Sequence, residues 1–376
     1  MRRQRIVVKI GSSSLTNPNG QLSMDKLTEH VQAISELKKK GHEVILISSG
    51  AVAAGFSALG YPIKPTSISG KQAAAAVGQG LLMRGYLEQF QKENLIPAQM
   101  LLTRDDFSNR HRFNNAYSTI SELLKKGAIP IINENDTTSI QELTFGDNDM
   151  LSALVSGFVH AHILCILTDV NGLYDENPLK NPQAKRYTYL QEIKPELLAV
   201  ADERGSKVGT GGMKSKISAA HTALSLGVNI FIGKGTGVTK LLDIMEGKGD
   251  GTYIGSFQSE ASMPTNKQWI ALHSTSAGSI IIDRGAEHAL LFLGKSLLPA
   301  GIKSVEGSFS SQDVINVYNE SGYLLGKGTT NYHSNEIEQV KGHSSSVVKT
   351  TLQKQKTEVI HRNNWVALPK PFIYEP

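Results

Sequence analysis

Between residues 6 and 233, short apolar runs alternate with stretches of helical periodicity. That alternation restricts the fold more than any single motif does. The runs are IVVKI (6–10), VILI (44–47), IPAQMLL (96–102), AIPII (128–132), HILCIL (162–167) and VNIFIG (228–233). Strands apolar on both faces, separated by helices, are the mark of a parallel sheet covered on both sides. Most runs end in small or polar residues: GSSS, SSG, TRDD, NENDT and TDVNG. The carboxyl ends of parallel strands gather along one edge, so five such endings imply a shared polar crevice.

The intervening segments read as helices. Ser23 is a candidate N-cap with Asp25 behind it, and Leu27, Val31, Ile34 and Leu37 recur at helical spacing up to the lysines at 38–40 and Gly41. The lysines suit a solvated helix end. Residues 69–91 read as an alanine-rich helix whose glycines permit close helix contact. A further helix spans 113–126, with Tyr117, Ile120, Leu123 and Leu124 on one side. Past Gly255 the pattern changes. Residues 257–267 are polar and aperiodic, and from Trp269 the segments are short and β-like: SIIID, SVEGSF, DVINVY and GYLLGKG, with one helical stretch, GAEHALLFL. The expected division is an α/β domain over 1–257, a linker over 258–268, and a small mostly-β domain with a tail over 269–376.

The chain's 376 residues suffice for two cores, and 40% hydrophobic with 19% charged residues is a globular composition. A net charge of +5 is no nucleic-acid footprint by itself. The single cysteine, Cys165, excludes an intrachain disulfide and sits in an apolar run. The start, MRRQR, is too charged for a signal segment, and no window approaches the ~18 apolar residues of a membrane span. The expectation is a cytoplasmic protein.

P-loop, G-x-G-x-x-G, H-E-x-x-H and G-x-S-x-G motifs are all absent, as is any Cys/His cluster. What remains is a set of lysines, carboxylates and glycine turns. Lys9 interrupts the first run just before Gly11, where backbone and the serines at 12–14 can approach an anion. GTGGMKSK (209–216) places glycines and Lys216 at a helix start, a setting for oligophosphate. NEND and GDND supply Asp136, Asn148 and Asp149, able to bind an ammonium, orient a lysine or hold Mg²⁺ through water. Each is also explicable as a turn or cap. Together they suit phosphoryl transfer, which needs charge neutralisation and alignment more than covalent help.

Eight segments resemble, in order, the glutamate 5-kinase branch of the amino acid kinase family: IVVKIGSSSL, ISSGAVAAG, KQAAAAVGQG, LLTRDDF, IPIINENDT, FGDNDMLSA, LTDVNGLYD and GTGGMKSK. IIIDRGAEHALL and SLLPAGI resemble the PUA domain appended to many bacterial members. The resemblance implies a three-layer αβα sandwich with a mostly parallel sheet, plus a small PUA-like domain. It implies ATP-dependent phosphorylation of the glutamate γ-carboxylate to glutamate 5-phosphate, the first step of proline synthesis, with Mg²⁺ as cofactor.

Carried over by position, Lys9 and Lys216 would shield phosphates and Asp149 would orient them. Ser49, Asp136 and Asn148 would bind glutamate. Lys9, Gly11, Thr168, Asp169, Thr210, Gly211, Gly212, Met213, Ser215 and Lys216 would meet the nucleotide, together with Lys214, where members often carry a small polar residue. The resemblance also implies a homo-oligomer, dimer or tetramer, and proline is expected as a feedback inhibitor through the loop 136–147.

PUA modules often bind RNA. Residues 266–376, however, hold 11 Lys+Arg against 9 Asp+Glu with no basic run, a weak electrostatic footprint. The alternatives are a kinase for another small carboxylate or carbamate, and an RNA-binding or sensor protein with an inactive kinase-like domain.

Overall fold

The computed structural model describes residues 3–138, 148–176, 181–193, 212–256, 276–352 and 357–367, with positions 178, 197 and 270. The backbone divides into two compact units: Met1–Asp106 with Asn114–Met263, and Phe107–Phe113 with Pro264–Pro376.

The strands of the first unit are β1 (Arg5–Ile10), β2 (Glu43–Ser48), β3 (Pro97–Leu102), β4 (Ile129–Glu134), β5 (Ile163–Leu167), β6 (Leu173–Tyr174), β7 (Arg186–Tyr187), β8 (Tyr189–Leu190), β9 (Asn229–Gly233) and β10 (Gly251–Ile254). Eight form one sheet in the order β3-β4-β2-β1-β5-β9-β10-β8, while β6 and β7 make a small separate pair. From β3 to β9 every pairing is parallel; only β10 runs antiparallel to β9. The sandwich with a mostly parallel sheet is therefore as expected. The central strands are buried along nearly their whole length because helices cover both faces.

The helices are α1 (Met24–Lys39), α2 (Ala51–Gly55), α3 (Ile68–Lys92), α4 (Arg104–Ser108), α5 (Arg110–Lys125), α6 (Asn148–Phe158), α7 (Met213–Ser225) and α8 (Lys240–Met245). Ser23 caps α1 as its position suggests, its side chain accepting from the Lys26 N–H. The glycines of α3 have a steric purpose. A Cβ added at Gly78 would lie 1.8 Å from the Ala51 carbonyl oxygen, and one at Gly55 would lie 2.1 Å from that of Ala74. Helices α2 and α3 thus touch backbone to backbone, which holds the turn after β2 in place.

The second unit is a five-stranded sheet, order β12-β11-β13-β14-β15, built from β11 (Ser279–Ile282), β12 (Ile302–Glu306), β13 (Val314–Asn319), β14 (Leu324–Thr330) and β15 (Ile360–Ala367). Its core gathers Ile280, Ile282, Ile315, Val317, Tyr332, Ile337 and Trp365. Among the described residues three helices accompany it: α9 (Arg284–Leu291), α10 (Ser334–Val340) and α11 (Ser345–Leu352).

Candidate functional site

Lys9 is the fifth residue of the central strand β1, flanked in register by Ile47 of β2 and Ile166 of β5. A central strand has no solvated face, so the side chain is 4% exposed and its ammonium must find a partner inside. That partner is Asp149, the second residue of α6 and wholly buried. Lys9 Nζ pairs with Oδ1 and Lys216 Nζ lies 3.0 Å from Oδ2. Ser215 places its hydroxyl 3.0 Å from the same Oδ2 and 2.9 Å from the Gly212 carbonyl.

Burial by itself would raise the Asp149 carboxyl. The ammonium groups of Lys9 and Lys216 outweigh it and hold the carboxyl below its ordinary range. One carboxylate thus orders two lysines drawn from opposite halves of the sequence, leaving one net positive charge at the carboxyl end of the sheet.

Lys216 does not sit in a glycine turn. Residues 213–216 form the first turn of α7, with Gly212 as N-cap, and the helix itself aims the ammonium at α6. Two residues apart on a helix, Lys214 and Lys216 face different ways; Lys214 is exposed. Thr210 and Gly211 lie outside the described residues. Thr168 and Asp169 follow β5, where the Thr168 N–H donates to the Gly233 carbonyl and its hydroxyl to Asp169 Oδ1. At Gly11 an added Cβ would lie 3.6 Å from Lys9 Nζ, so this turn borders the lysine directly.

Ser49 and Asn148 also meet. Asn148 Nδ2 lies 2.8 Å from Ser49 Oγ, 2.8 Å from Asn133 Oδ1 and 3.1 Å from the Ser48 carbonyl. Asn133 Oδ1 further accepts from the Glu134 N–H, and its Nδ2 donates to Gln79 Oε1 on α3. A backbone N–H at one end and a backbone carbonyl at the other fix which way both amides face. Asn148 Oδ1 is left buried and without a partner among the described residues. It is a ready acceptor for a ligand N–H.

Asp136, two residues beyond β4, has its carboxyl pushed up to about 6, first by burial and then by the neighbouring Glu134 carboxylate, with Lys64 opposing. Asn133 and Gln79 were not anticipated. NEND reads as a turn, whereas β4 continues through its first two residues, and Gln79 is one of several polar residues in an alanine-rich helix.

A divalent ion carried on ATP suits this donor set. Asp149 is committed to the two lysines, whereas Asp169 is exposed at the end of β5 and able to meet a metal's water shell. Among the described residues there is no cluster of three or more His, Cys, Asp or Glu side chains able to grip a metal alone.

Comparison with known proteins gives the family. Residues 4–234, more than half the chain, match the amino acid kinase family, and residues 278–352 match the PUA domain. "Glutamate 5-kinase 1" of Bacillus subtilis (strain 168) is 62% identical, over 97% of this chain and 99% of its own length. "Glutamate 5-kinase" of Halalkalibacterium halodurans is 58% identical over 98% and 99%, and that of Geobacillus kaustophilus 58% over 99% and 100%. Among solved structures, a carbamate kinase from Giardia lamblia bound to AMP-PNP superposes with a TM-score of 0.48 at 16% identity, covering 67% of this chain and 98% of that one. On the strength of the sequence relatives, the chain belongs to the amino acid kinase family and, within it, to the glutamate 5-kinases.

Proposed function

We propose that this chain transfers the γ-phosphoryl group of ATP to the γ-carboxylate of L-glutamate, giving glutamate 5-phosphate and ADP at the head of proline synthesis. The observation that carries the reading is the Lys9–Asp149–Lys216 arrangement at the carboxyl end of the sheet. A carboxylate with an ordinary pKa near ~4.3 is already ionised at neutral pH, so the nucleophile needs no general base. A carboxylate oxygen attacks the γ-phosphorus, the bond to the β–γ bridging oxygen breaks, and ADP leaves with the electron pair. No proton moves.

The obstacle is repulsion between two anions. Lys9 and Lys216 are the residues we assign to it, each aimed by Asp149. Ser49, Asn148 and Asp136 are assigned to glutamate. Asn148 Oδ1 and the Asp136 carboxylate are acceptors, which suits the α-ammonium. Gly11, Thr168, Asp169 and the segment 210–216 are assigned to the nucleotide. Mg²⁺ is the divalent ion we propose; bound to ATP it would neutralise part of the polyphosphate charge, with Asp169 at its water shell.

Release of ADP from Mg·ATP, measured with glutamate, acetylglutamate, aspartate and no acceptor, tests the reading. Turnover that requires glutamate is expected, and rates independent of it would overturn the reading.

Three further assignments belong to the same proposal. A homo-oligomer is supported by exposed apolar residues on α3 and around it: Ile63 is 74% exposed, Ile96 68% and Leu81 41%. Light scattering should give a mass above that of one chain, and Leu81→Glu should lower it. Proline is assigned as feedback inhibitor through the loop 136–147, of which 139–147 lies outside the described residues; an unchanged glutamate KM in saturating proline would count against this. We place the protein in the cytoplasm, where ATP is available; among the described residues no helix is long and apolar enough to cross a membrane. RNA binding by the PUA domain is left as the weaker option because of its +2 charge balance.

A further inference from the structure

His30 is a buried histidine for which the chemistry above has no use. It lies on α1 with its ring 5% exposed, and Nε2 is 3.1 Å from the carbonyl oxygen of Ser14. A carbonyl only accepts, so Nε2 carries the proton and Nδ1 the lone pair. Nδ1 is buried without a partner among the described residues. Burial, then the nearby Lys240 ammonium, pushes the ring's pKa down to about 4, so His30 is neutral at physiological pH.

Its neighbours on the same helix face serve the same end. Lys26 Nζ donates to the carbonyls of Thr16 at 2.7 Å and Ser13 at 3.3 Å. Glu29 Oε1 accepts from the Gly237 N–H at 2.7 Å and from Lys240 Nζ at 2.9 Å. Residues at i, i+3 and i+4 share one side of a helix, so a single face of α1 grips two turns. One follows β1, the other follows β9, and both lie at the carboxyl end of the sheet.

We propose that His30 is a positioning residue: with Lys26 and Glu29 it makes α1 a brace that holds the Gly11–Ser14 turn in the shape that receives the nucleotide phosphates. The inference rests on the nucleotide assignment above. Its mechanism is peptide planarity. In a trans peptide the N–H points opposite to the C=O, so holding the Ser13 and Ser14 carbonyls against α1 sets the direction of the Ser14 and Leu15 N–H groups. Those two N–H groups close the turn, donating to the carbonyls of Gly11 and Ser12. Among the described residues, these two bonds and the brace are the hydrogen bonds on the Ser13–Ser14 and Ser14–Leu15 peptides.

Full-length protein carrying His30→Leu or His30→Gln tests the proposal. Leucine fills the ring's space but donates nothing. Glutamine can place its amide Nε2–H where the imidazole Nε2–H was. His30→Leu also removes the unpaired Nδ1, so its melting temperature should stay within about 5 °C of the parent. The readouts are the Kd for Mg·AMP-PNP, the KM for glutamate, and amide hydrogen exchange across residues 11–15.

We expect His30→Leu to weaken AMP-PNP about tenfold, the scale of one buried hydrogen bond. Exchange at 11–15 should quicken, glutamate KM should stay within about twofold, and His30→Gln should restore binding to within about twofold. Unchanged AMP-PNP affinity, a parallel rise in glutamate KM, or a His30→Gln protein as impaired as His30→Leu would each overturn the brace. Should His30→Leu not fold, Lys26→Met removes one bond to the turn, at Ser13, and one just beyond it, at Thr16, from an exposed position, and unaltered AMP-PNP binding there would overturn it equally. A parent protein that binds AMP-PNP but does not phosphorylate glutamate would defeat the function proposed above and leave the brace standing.

Discussion

Replacing Lys216 by methionine removes one charge while keeping most of the side chain's volume. Lys216 is 7% exposed and shares Asp149 with Lys9, so the variant still holds a buried carboxylate paired with one lysine and a serine hydroxyl. Breaking one arm of a buried ionic triad costs on the order of 3 kcal/mol, which the fold should survive at reduced melting temperature. The catalytic loss should be separate and larger in consequence. The net charge of the Lys9–Asp149–Lys216 group falls from +1 to 0, and under the proposed mechanism one donor to the transferring phosphoryl group is lost. Loss of a single such donor lowers kcat by at least ~10²-fold.

The assay is coupled ADP release at saturating glutamate and Mg·ATP. KM for glutamate should move little, because Ser49, Asn148 and Asp136 are untouched. Lys216→Arg should recover stability but not full turnover, since the planar guanidinium cannot replace a compact ammonium 3.0 Å from the carboxylate. Near-normal kcat in Lys216→Met would refute the role given to this lysine, and with it the shielding argument.

Asp136 carries a carboxyl raised to about 6, so its acceptor form is lost as pH falls below that value. Catalytic efficiency (kcat/KM) for glutamate should decline below about pH 6, and Asp136→Asn should be slower and lack that break. The sign for stability is opposite: with a folded pKa above the unfolded one, ionising Asp136 costs the free protein stability as pH rises through about 6, which thermal melts across pH 5–7 would detect as a gain for Asp136→Asn at the upper end. Gly78→Ala should destabilise the protein by about 3 kcal/mol or more in denaturant titration, because its methyl would lie 1.8 Å from a carbonyl oxygen. The Cys165 thiol, buried in β5 and pushed by that burial up to about 12, should not react with a thiol reagent until the chain unfolds.

The six parallel strands from β3 to β9 were legible because they are both apolar and bounded by small residues, so their ends could be placed to within two residues; β10 was not read. The caps and periodicity of α1 served equally well. Some short elements were not legible. Helix α10 buries only Ile337 and Val340 and opens on His333, whose N–H donates to Glu336, a start that composition does not announce. Strand β8 has two residues and exists only through its neighbour β10.

In the site, the charged residues declared themselves by sitting in apolar or small-residue company: Lys9 in a strand, Asp149 before an apolar helix. Asn133, Gln79 and His30 did not. Each looks ordinary in its own segment and acquires a purpose only when residues 15 to 54 positions away fold against it.

The most direct test of the central claim is to trap the product. Mg·ATP, L-glutamate and hydroxylamine, incubated with the protein, should yield γ-glutamyl hydroxamate and ADP in equal amounts, detected by mass spectrometry. The yield should vanish without glutamate and fall at least ~10²-fold with Lys9→Ala. ADP formed without hydroxamate, or hydroxamate formed equally well by Lys9→Ala, would contradict the account.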